Sequence, residues 1–261
     1  MSAGETHPSV EVALGSRGHL GVTGTSADAR LDEPLYAVNL LDRRRPWAYE
    51  LYGALAVRTV YRVGGRVLFK GHRRRILAGD SANSRETLLL VRYPDARAFL
   101  GLAQRRYFIA ISVLRKLGLE RFLFGFAKRL GTGPRRGPDP PPKPQAYGGD
   151  SRYLLCLFAA QASSAEHHLL QEALERLPDA LSVDGVDVFF AGLETATVTQ
   201  RGPGSMNPRP SATAPPLPWD AVVLLSAADE PALEAAFAAA PLAELCSSSH
   251  SSMAAFYRRT V

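Results

Sequence analysis

Short apolar segments alternate with longer amphipathic ones along the chain, a pattern that predicts strands and helices. The segment "LYAVNLL", residues 35–41, is typical of a strand. Pro46 then opens the helical segment "PWAYELYGALAVRTVYRV", because the first-turn amide that proline lacks has no intrahelical partner. A second strand follows in "GGRVLFKG" and a third in "ETLLLVRYP".

Asp95 stands where it can cap the next helix, "ARAFLGLAQRRY", since its carboxylate can accept a hydrogen bond from a first-turn amide. The apolar positions Phe99, Leu102 and Ala103 give this segment one apolar face. A fourth strand is predicted in "ERFLFGFAK". Residues 35–130 therefore predict the order βαββαβ.

The second half repeats this order. "RYLLCLFAA" is a strand, and Ser163 with Glu166 forms a capping box before an amphipathic helix. "VDVFFAG" and "DAVVLLSAA" are strands, Asp229 caps "EPALEAAFAAAPLAEL", and "AAFYRRTV" is the last strand. From Glu86 onward the two halves align without a gap at an offset of 134 residues, which indicates an internal repeat.

A βαββαβ unit is the ferredoxin-like sandwich, in which four antiparallel strands carry both helices on one face. The other sheet face is bare and needs a partner. We therefore predict an α+β fold in which two ferredoxin-like modules pair their sheets as a barrel within one chain.

Composition sets the predicted domain limits. Residues 1–34 are polar and Gly-rich and predict a disordered tail, followed by the first module, 35–130. Residues 131–151 hold six prolines and five glycines, which predicts a solvated linker. The second, divergent module spans 152–261, with a long loop predicted at 200–218.

The chain has a globular composition, with 46% hydrophobic and 21% charged residues. No apolar run is long enough to span a bilayer and no secretory signal opens the chain, so we expect a cytoplasmic protein without a membrane partner. Cys156 and Cys246 lie among apolar residues without CxxC spacing. They predict buried free thiols rather than metal ligands.

Charge is unevenly distributed between the halves. Residues 35–130 hold 20 Lys or Arg against 6 Asp or Glu, whereas residues 152–261 hold 6 against 12. Nucleic acid is one partner for a basic half, but the aromatic and basic interleaving of a single-strand binder is missing. We therefore expect two oppositely charged halves that pair with each other, as a monomer or a further homodimer.

Residues 35–127 resemble the domain-of-unknown-function 1330 family, a branch of the dimeric α+β barrel superfamily. The segments that carry the resemblance are "YAVNLL", "PWAYELYGALA", "YRVGGRVLFKG" and "LLLVRYPDARAFLGLAQRRYFIAI", with Tyr107 followed eight residues later by Arg115. The second half resembles the family only through the repeat, because Pro241 and Ser249 replace that Tyr and Arg.

The superfamily includes cofactor-independent monooxygenases, lactone isomerases, polyketide cyclases and haem-degrading relatives. The resemblance implies a small-molecule site between the paired sheets, without a cofactor. It makes Tyr107 and Arg115 candidate catalytic residues, with Tyr107 or His72 transferring a proton. Lys70, Arg92 or Arg115 would stabilise negative charge.

Strand alternation sorts the segment "RVLFKGH" into two faces. One face matches apolar or small residues of the second half and is predicted to lie beneath the helices; it contains Val67, Phe69 and Gly71. The other is predicted to face the opposite sheet; it contains Arg66, Leu68, Lys70 and His72. The alternative for Lys70 and His72 is the barrel rim or an ion pair with an acid such as Asp187.

Two further residues are candidate ligand contacts. Asn39 is a polar amide in an apolar strand, so it either lines a pocket or bonds neighbouring backbone. Tyr52 and its neighbour Tyr49 either reach a cavity through their hydroxyls or pack in the core. His167, His168 and Glu172 share a helix face but have no third ligand at a fitting spacing, so no metal site is predicted.

Two functions stay open from the sequence. The first is a cofactor-independent enzyme acting on a small hydrophobic or enol-containing metabolite. The second is a non-catalytic ligand-binding or scaffold protein whose second half has degenerated.

Overall fold

The computed structural model describes residues 8–13, 19–25, 29–79, 84–130, 151–159, 164–181, 183–201, 219–249 and 251–260. In these residues the elements are β1 Ser9–Ala13, β2 His19–Gly24, β3 Leu35–Arg43, α1 Pro46–Arg62, β4 Arg66–Ala78, β5 Thr87–Tyr93, α2 Ala96–Gln104, α3 Arg106–Gly118, β6 Leu119–Arg129, β7 Arg152–Ala159, α4 Ser164–Ala180, β8 Val186–Arg201, β9 Ala221–Ala227, α5 Glu230–Ala238, α6 Ala240–Ser248 and β10 Ser251–Arg259.

The predicted helix starts are confirmed where the structure describes them. Pro46 is the first residue of α1. The Asp95 carboxylate accepts a hydrogen bond of 2.7 Å from the amide of Ala98, and the Asp229 carboxylate accepts one of 2.9 Å from the amide of Ala232. The proposed capping box at Ser163 lies outside the described residues.

The second helix of each module was predicted as one segment, over 96–107 and 230–245, and each is divided in two; α3 also continues to Gly118, beyond the predicted end. Arg105, with φ −64° and ψ 126°, separates α2 from α3, and Ala239, with φ −66° and ψ 151°, separates α5 from α6. One extended residue interrupts the i to i−4 ladder, although the apolar spacing continues past it. Pro241 stands in the first turn of α6, whereas no proline accompanies the break at Arg105. The two breaks lie 134 residues apart.

The chain forms two compact units, which are described separately. Unit 1 comprises Met1–Val67, Leu89–Ala127 and Thr195–Pro216. Its central strand β3 pairs antiparallel with β6 and neighbours β5. Helices α1, α2 and α3 belong to this unit, and its core includes Val60, Val91, Leu100, Phe108 and Phe126.

Unit 2 comprises Leu68–Leu88, Lys128–Glu194 and Leu217–Val261. Its strands neighbour each other in the order β4-β10-β7-β9-β8, and the pairs β4–β10, β10–β7, β7–β9 and β9–β8 are antiparallel. The core against α4, α5 and α6 includes Leu154, Cys156, Leu174, Leu233, Leu242 and Phe256. The predicted α+β class with antiparallel strands is confirmed.

Two strands form in 1–34, the segment predicted to be a disordered tail. Strand β1 pairs with β2, which pairs with the end of β8. Leu20 and Val22 are 1% and 0% exposed and belong to the core of unit 1. A period-two pair of apolar residues was hidden by the polar and glycine-rich composition around it.

The compact units differ from the predicted modules 35–130 and 152–261, because each unit contains residues of both. The strands β4, β5, β6 and β8 each begin in one unit and end in the other. Residues 131–150 of the predicted linker and 202–218 of the predicted loop lie outside the described residues.

Candidate functional site

Three tyrosines lie in the layer between the helices and the sheet of unit 1. Tyr49 and Tyr52 are three residues apart on α1 and so share a face, and their ring centroids are 5.9 Å apart. Tyr93 is the last residue of β5. Tyr49 and Tyr93 are each 5% exposed, and Tyr52 packs partly buried against the same core.

Among the described residues no hydrogen bond involves the hydroxyl groups of these tyrosines, and none of the three is a fully enclosed atom without a partner. Buried tyrosine hydroxyls usually find a partner, because an unmade hydrogen bond in the interior is costly. The three hydroxyls are therefore available to water or to the polar atoms of a ligand.

Burial raises the pKa of all three phenols. The nearby Tyr52 raises the pKa of Tyr49 and Tyr93 further, whereas the positive charge of Arg115 lowers the pKa of all three. Desolvation dominates at each of them, so they are neutral at physiological pH. Neutral phenols can donate hydrogen bonds to a carbonyl or an enolate oxygen.

Arg115 supplies a positive charge to this layer. It lies partly buried in the last turn of α3, and its guanidinium carbon is 5.6 Å from the ring centroid of Phe122, within cation–π range. A guanidinium beside neutral hydroxyl donors is suited to stabilising an oxyanion.

Aromatic rings surround the polar groups. Tyr52 and Phe108 have ring centroids 6.2 Å apart, and Tyr93 and Phe99 have centroids 5.4 Å apart. Phe99 stacks on Phe124 at 5.8 Å. We refer to Tyr49, Tyr52, Tyr93 and Arg115, with these rings, as the tyrosine cluster.

Asn39 lies on β3 in the same unit. Its side-chain amide donates to the carbonyl oxygens of Ala37 and Leu89, each at 3.1 Å. These bonds join β3 to β5, so the amide nitrogen of Asn39 is bound to backbone, as one of the two sequence-based interpretations expected.

The other candidates in unit 1 lie less close to the cluster. Arg92 is partly buried on β5 and, one residue from Tyr93, points to the other face of the strand. Tyr107 is 48% exposed near the start of α3. Its hydroxyl is therefore largely solvated, whereas Arg115 on the same helix is partly buried.

Lys70 and His72 belong to unit 2. The Nδ1 atom of His72 is 3.0 Å from the Thr87 hydroxyl. The carbonyl oxygen of Lys70 accepts from the Thr260 amide at 2.8 Å. Neither residue is assigned to the tyrosine cluster.

The predicted facing of β4 is wrong at Phe69. The centroid of its ring lies 4.7 Å from that of Tyr153 and 5.9 Å from that of Phe189. Leu154 and Cys156 of β7 pack against the helices, so Tyr153, which alternates with them, lies on the opposite face of the sheet, and Phe69 lies there with it. Because both faces of this strand carry apolar contacts, an apolar match between halves does not identify the helix-covered face.

A β-bulge changes the facing in the second half as well. The register of β8 with β9 shifts between Val188 and Phe190, and beyond the shift Ala191 and Leu193 pack against the helix-covered core. A bulge adds one residue and reverses the alternation. Strict alternation from Val188 would instead place Phe190 and Gly192 at those positions.

Sequence reasoning missed Tyr93. At the offset of 134 residues its counterpart is Ala227. The first half therefore has a polar aromatic residue where the second half has a small apolar one. The same one-sided difference separates Tyr107 and Arg115, which the family resemblance had singled out, from Pro241 and Ser249, and it would have found Tyr93.

Metal-binding groups are sparse in the described part of the chain, where no cluster of three His, Cys, Asp or Glu residues could hold an ion. The Nδ1 atom of His168 lies 3.5 Å from the Glu172 carboxylate, with both side chains exposed. Cys156 and Cys246 are free thiols, as predicted, but only Cys156 is buried and Cys246 is partly buried.

No protein-family model matches the chain, and no curated protein matches it. Solved structures do share its fold. An anthrone oxidase-like protein aligns with a TM-score of 0.52 and 12% identity, over 88% of this chain and 92% of its own. A candidate monooxygenase from Fusobacterium nucleatum subsp. nucleatum aligns with a TM-score of 0.50 and 9% identity, over 88% and 94%. A protein of unknown function from Rhodopseudomonas palustris is 22% identical over 41% of this chain and 88% of its own, with a TM-score of 0.38. The first two likenesses show that this chain has an α+β fold shared with monooxygenase-like proteins.

Proposed function

We propose that the chain binds a small aromatic or enol-containing molecule at the tyrosine cluster, between helices and sheet rather than between paired sheets as the resemblance implied, and acts on it as a cofactor-independent enzyme of the monooxygenase, isomerase or cyclase type. The observation that carries the proposal is the set of three tyrosine hydroxyls without a described hydrogen bond, on side chains that are buried or partly buried, near the charge of Arg115. A binding layer that was packed only for stability would satisfy or omit these groups.

The chemistry of the cluster favours an oxygen atom that gains negative charge. Neutral Tyr52 and Tyr93 donate hydrogen bonds, and the Arg115 guanidinium stabilises the charge of an enolate or phenolate. The surrounding rings of Phe99 and Phe108 suit a planar hydrophobic body. Tyr107 stays the predicted proton-transfer residue of this unit, on the solvent side.

The resemblance to the domain-of-unknown-function 1330 family and the arrangement as two ferredoxin-like modules belong to this proposal. The matching caps at Asp95 and Asp229, and the helix breaks at Arg105 and Ala239, support it. Free Cys156 and Cys246 fit the predicted cytoplasmic location.

Binding can be tested with a matched pair of probes, 2-naphthol and naphthalene, titrated calorimetrically into the full chain. We expect 2-naphthol to bind more tightly, because only it has an oxygen for the cluster. Arg115→Met should weaken 2-naphthol binding by about 10- to 100-fold and leave naphthalene nearly unchanged. Arg176→Met, on the exposed surface of α4 in unit 2, is the control and should change neither affinity.

Equal affinities for the two probes, or an unchanged 2-naphthol affinity in Arg115→Met, would contradict the proposed site. Turnover is tested separately with anthrone, a ligand class suggested by the name of the anthrone oxidase-like neighbour. Anthrone and O2 give anthraquinone and water, and the product is followed by its absorbance. Binding without acceleration over buffer would favour the alternative of a non-catalytic binder, which the Pro241 and Ser249 replacements in the second half also favour.

A further inference from the structure

Helices α1 and α3 present large apolar side chains to solvent. Trp47 is 60% exposed and Leu51 is 45% exposed on α1, while Val113 is 66% and Leu117 is 36% exposed on α3. In each pair the residues are four apart, so they share one side of their helix. Single exposed apolar residues are ordinary, but a group on one surface indicates a binding face.

The four side chains lie at the same end of a helix pair. The α1 and α3 helices pack together in unit 1, and the Arg44 amide donates to the Gly118 carbonyl at 2.8 Å. The start of α1 therefore lies against the end of α3, which brings Trp47 and Leu51 beside Val113 and Leu117. We name this surface the α1–α3 face.

The same two helices are strongly basic. They carry one acidic residue, Glu50, which pairs with Arg43 at 3.3 Å. Exposed Lys116 lies at the end of α3 that carries the apolar side chains, whereas exposed Arg58, Arg62 and Arg106 lie toward the opposite ends of the two helices. Exposed Arg44 and Arg45 precede α1. At the end of α3, exposed Glu120 and the pair Asp42–Arg121, at 2.7 Å, add little net charge.

We propose that the α1–α3 face binds the surface of an anionic phospholipid bilayer. The apolar side chains would enter the boundary between headgroups and acyl chains, while the exposed side chains of Arg44, Arg45 and Lys116 reach the phosphates. A second copy bound through the same face would place basic residues against basic residues, because a two-fold interface pairs a patch with itself.

Surface binding requires no spanning segment. The sequence predicted no membrane partner from the lack of a long apolar run, and no described helix combines the length and apolarity needed to cross a bilayer. Exposed side chains of two amphipathic helices can bind a bilayer surface without crossing it, so the proposal is compatible with both the short apolar runs and the lack of a spanning helix in the described residues.

Vesicle co-sedimentation and tryptophan fluorescence of the full chain test the proposal. We expect binding to vesicles of phosphatidylcholine mixed with phosphatidylglycerol, weak binding to phosphatidylcholine alone, and release by high salt. The emission of Trp47 should shift to the blue on binding, whereas that of Trp219, which is 0% exposed, should stay constant. Trp47→Phe should therefore abolish the shift.

Val113→Asp should weaken binding at least about tenfold. Leu169→Asp is the matched control, because Leu169 is 65% exposed on α4 in unit 2. Circular dichroism confirms that both variants fold. The proposal fails if the anionic vesicles do not bind the chain at low salt, or if Leu169→Asp weakens binding as much as Val113→Asp. It also fails if light scattering shows a dimer that Val113→Asp dissociates, since a second copy would then occupy the face.

Discussion

The helix-to-sheet layers of the two units are built from similar elements but have different chemistry. In unit 1 the layer holds Tyr49, Tyr52 and Tyr93 with Arg115 near them. In unit 2 the corresponding layer is filled by apolar side chains, among which Leu154, Leu174 and Leu242 are 0% exposed. The second layer is a packing core, whereas the first leaves polar groups available.

The difference also extends to reactivity. The unit 2 core contains the thiol of Cys156, and burial raises the pKa of this thiol well above its ordinary value. A thiol held protonated is a poor nucleophile. Chemistry is therefore to be sought in unit 1, where three tyrosine hydroxyls lie near the Arg115 charge.

The largest expected effect contrasts one deletion from each layer. Leu174→Ala should lower the free energy of unfolding by about 2–5 kcal/mol, because it opens a cavity in a close-packed core. Tyr93→Phe should change it by less than about 1 kcal/mol, because the hydroxyl that it removes makes no hydrogen bond to a described residue. Urea unfolding gives both values.

Two units need not unfold together, so Leu174→Ala is followed by the fluorescence of buried Trp219, which belongs to unit 2. Tyr93→Phe is followed by circular dichroism. If Tyr93→Phe costs as much as Leu174→Ala, the hydroxyl is part of a satisfied core and the contrast between the layers is broken.

A smaller effect is expected from the glycine where α3 meets α1. A Cβ atom on Gly118 would lie 2.7 Å from the Tyr49 amide nitrogen and 2.9 Å from its Cβ atom. Gly118→Ala should therefore lower the free energy of unfolding by about 1–3 kcal/mol and disturb the tyrosine cluster.

The control for this substitution is Gly101 on α2, where an added Cβ meets nothing within 4 Å. Gly101→Ala should stabilise the chain by about 0.5–1 kcal/mol, because alanine loses less backbone entropy in a helix. Thermal unfolding of both variants measures the contrast. A stabilised Gly118→Ala would show that α1 moves away easily, and the close approach would then not position Tyr49.

Local patterns predicted most elements of this fold. Capping by Asp95 and Asp229 depends on a carboxylate next to a first-turn amide, and such local geometry is visible in sequence. The helix break at Arg105 was not predictable, because the apolar spacing continues through it. The strand at Leu20 and Val22 was missed because two buried residues in a polar segment give a weak period-two pattern.

The candidate site was less accessible to sequence reasoning. The structure brings Arg115 and Tyr52 together in one layer of unit 1. Strand alternation alone, however, could not say which face of β4 the helices cover. Both faces of Phe69's strand have apolar neighbours, and the bulge at Val188 reverses the pattern in the second half. Site residues that depend on facing therefore required the structure.

The last effect depends on pH and is smallest in acid, and it is expected at Glu194 in unit 2. Burial, with a further contribution from the Asp220 charge, raises the pKa of Glu194 from 4.5 to about 8. The folded carboxyl thus keeps its proton between these values while the unfolded one loses it. This contribution to stability is fully present below pH 4.5 and decreases as the pH rises through that window to about 8.

Glutamine cannot ionise, so Glu194→Gln should lack this pH-dependent loss. Below pH 4.5 it should unfold in urea much like the parent chain, because the acid is then protonated in both the folded and the unfolded parent, and glutamine resembles the protonated acid. From pH 4.5 upward it should become progressively the more stable protein, with the full difference reached above the folded pKa of about 8. Urea midpoints from Trp219 fluorescence across that range measure the difference, and parallel pH profiles would mean that Glu194 is solvated and ionised in the folded chain. Such a result would weaken the contrast between the polar layer of unit 1 and the apolar core of unit 2, because the unit 2 sheet would then also hold a solvated polar group beside that core.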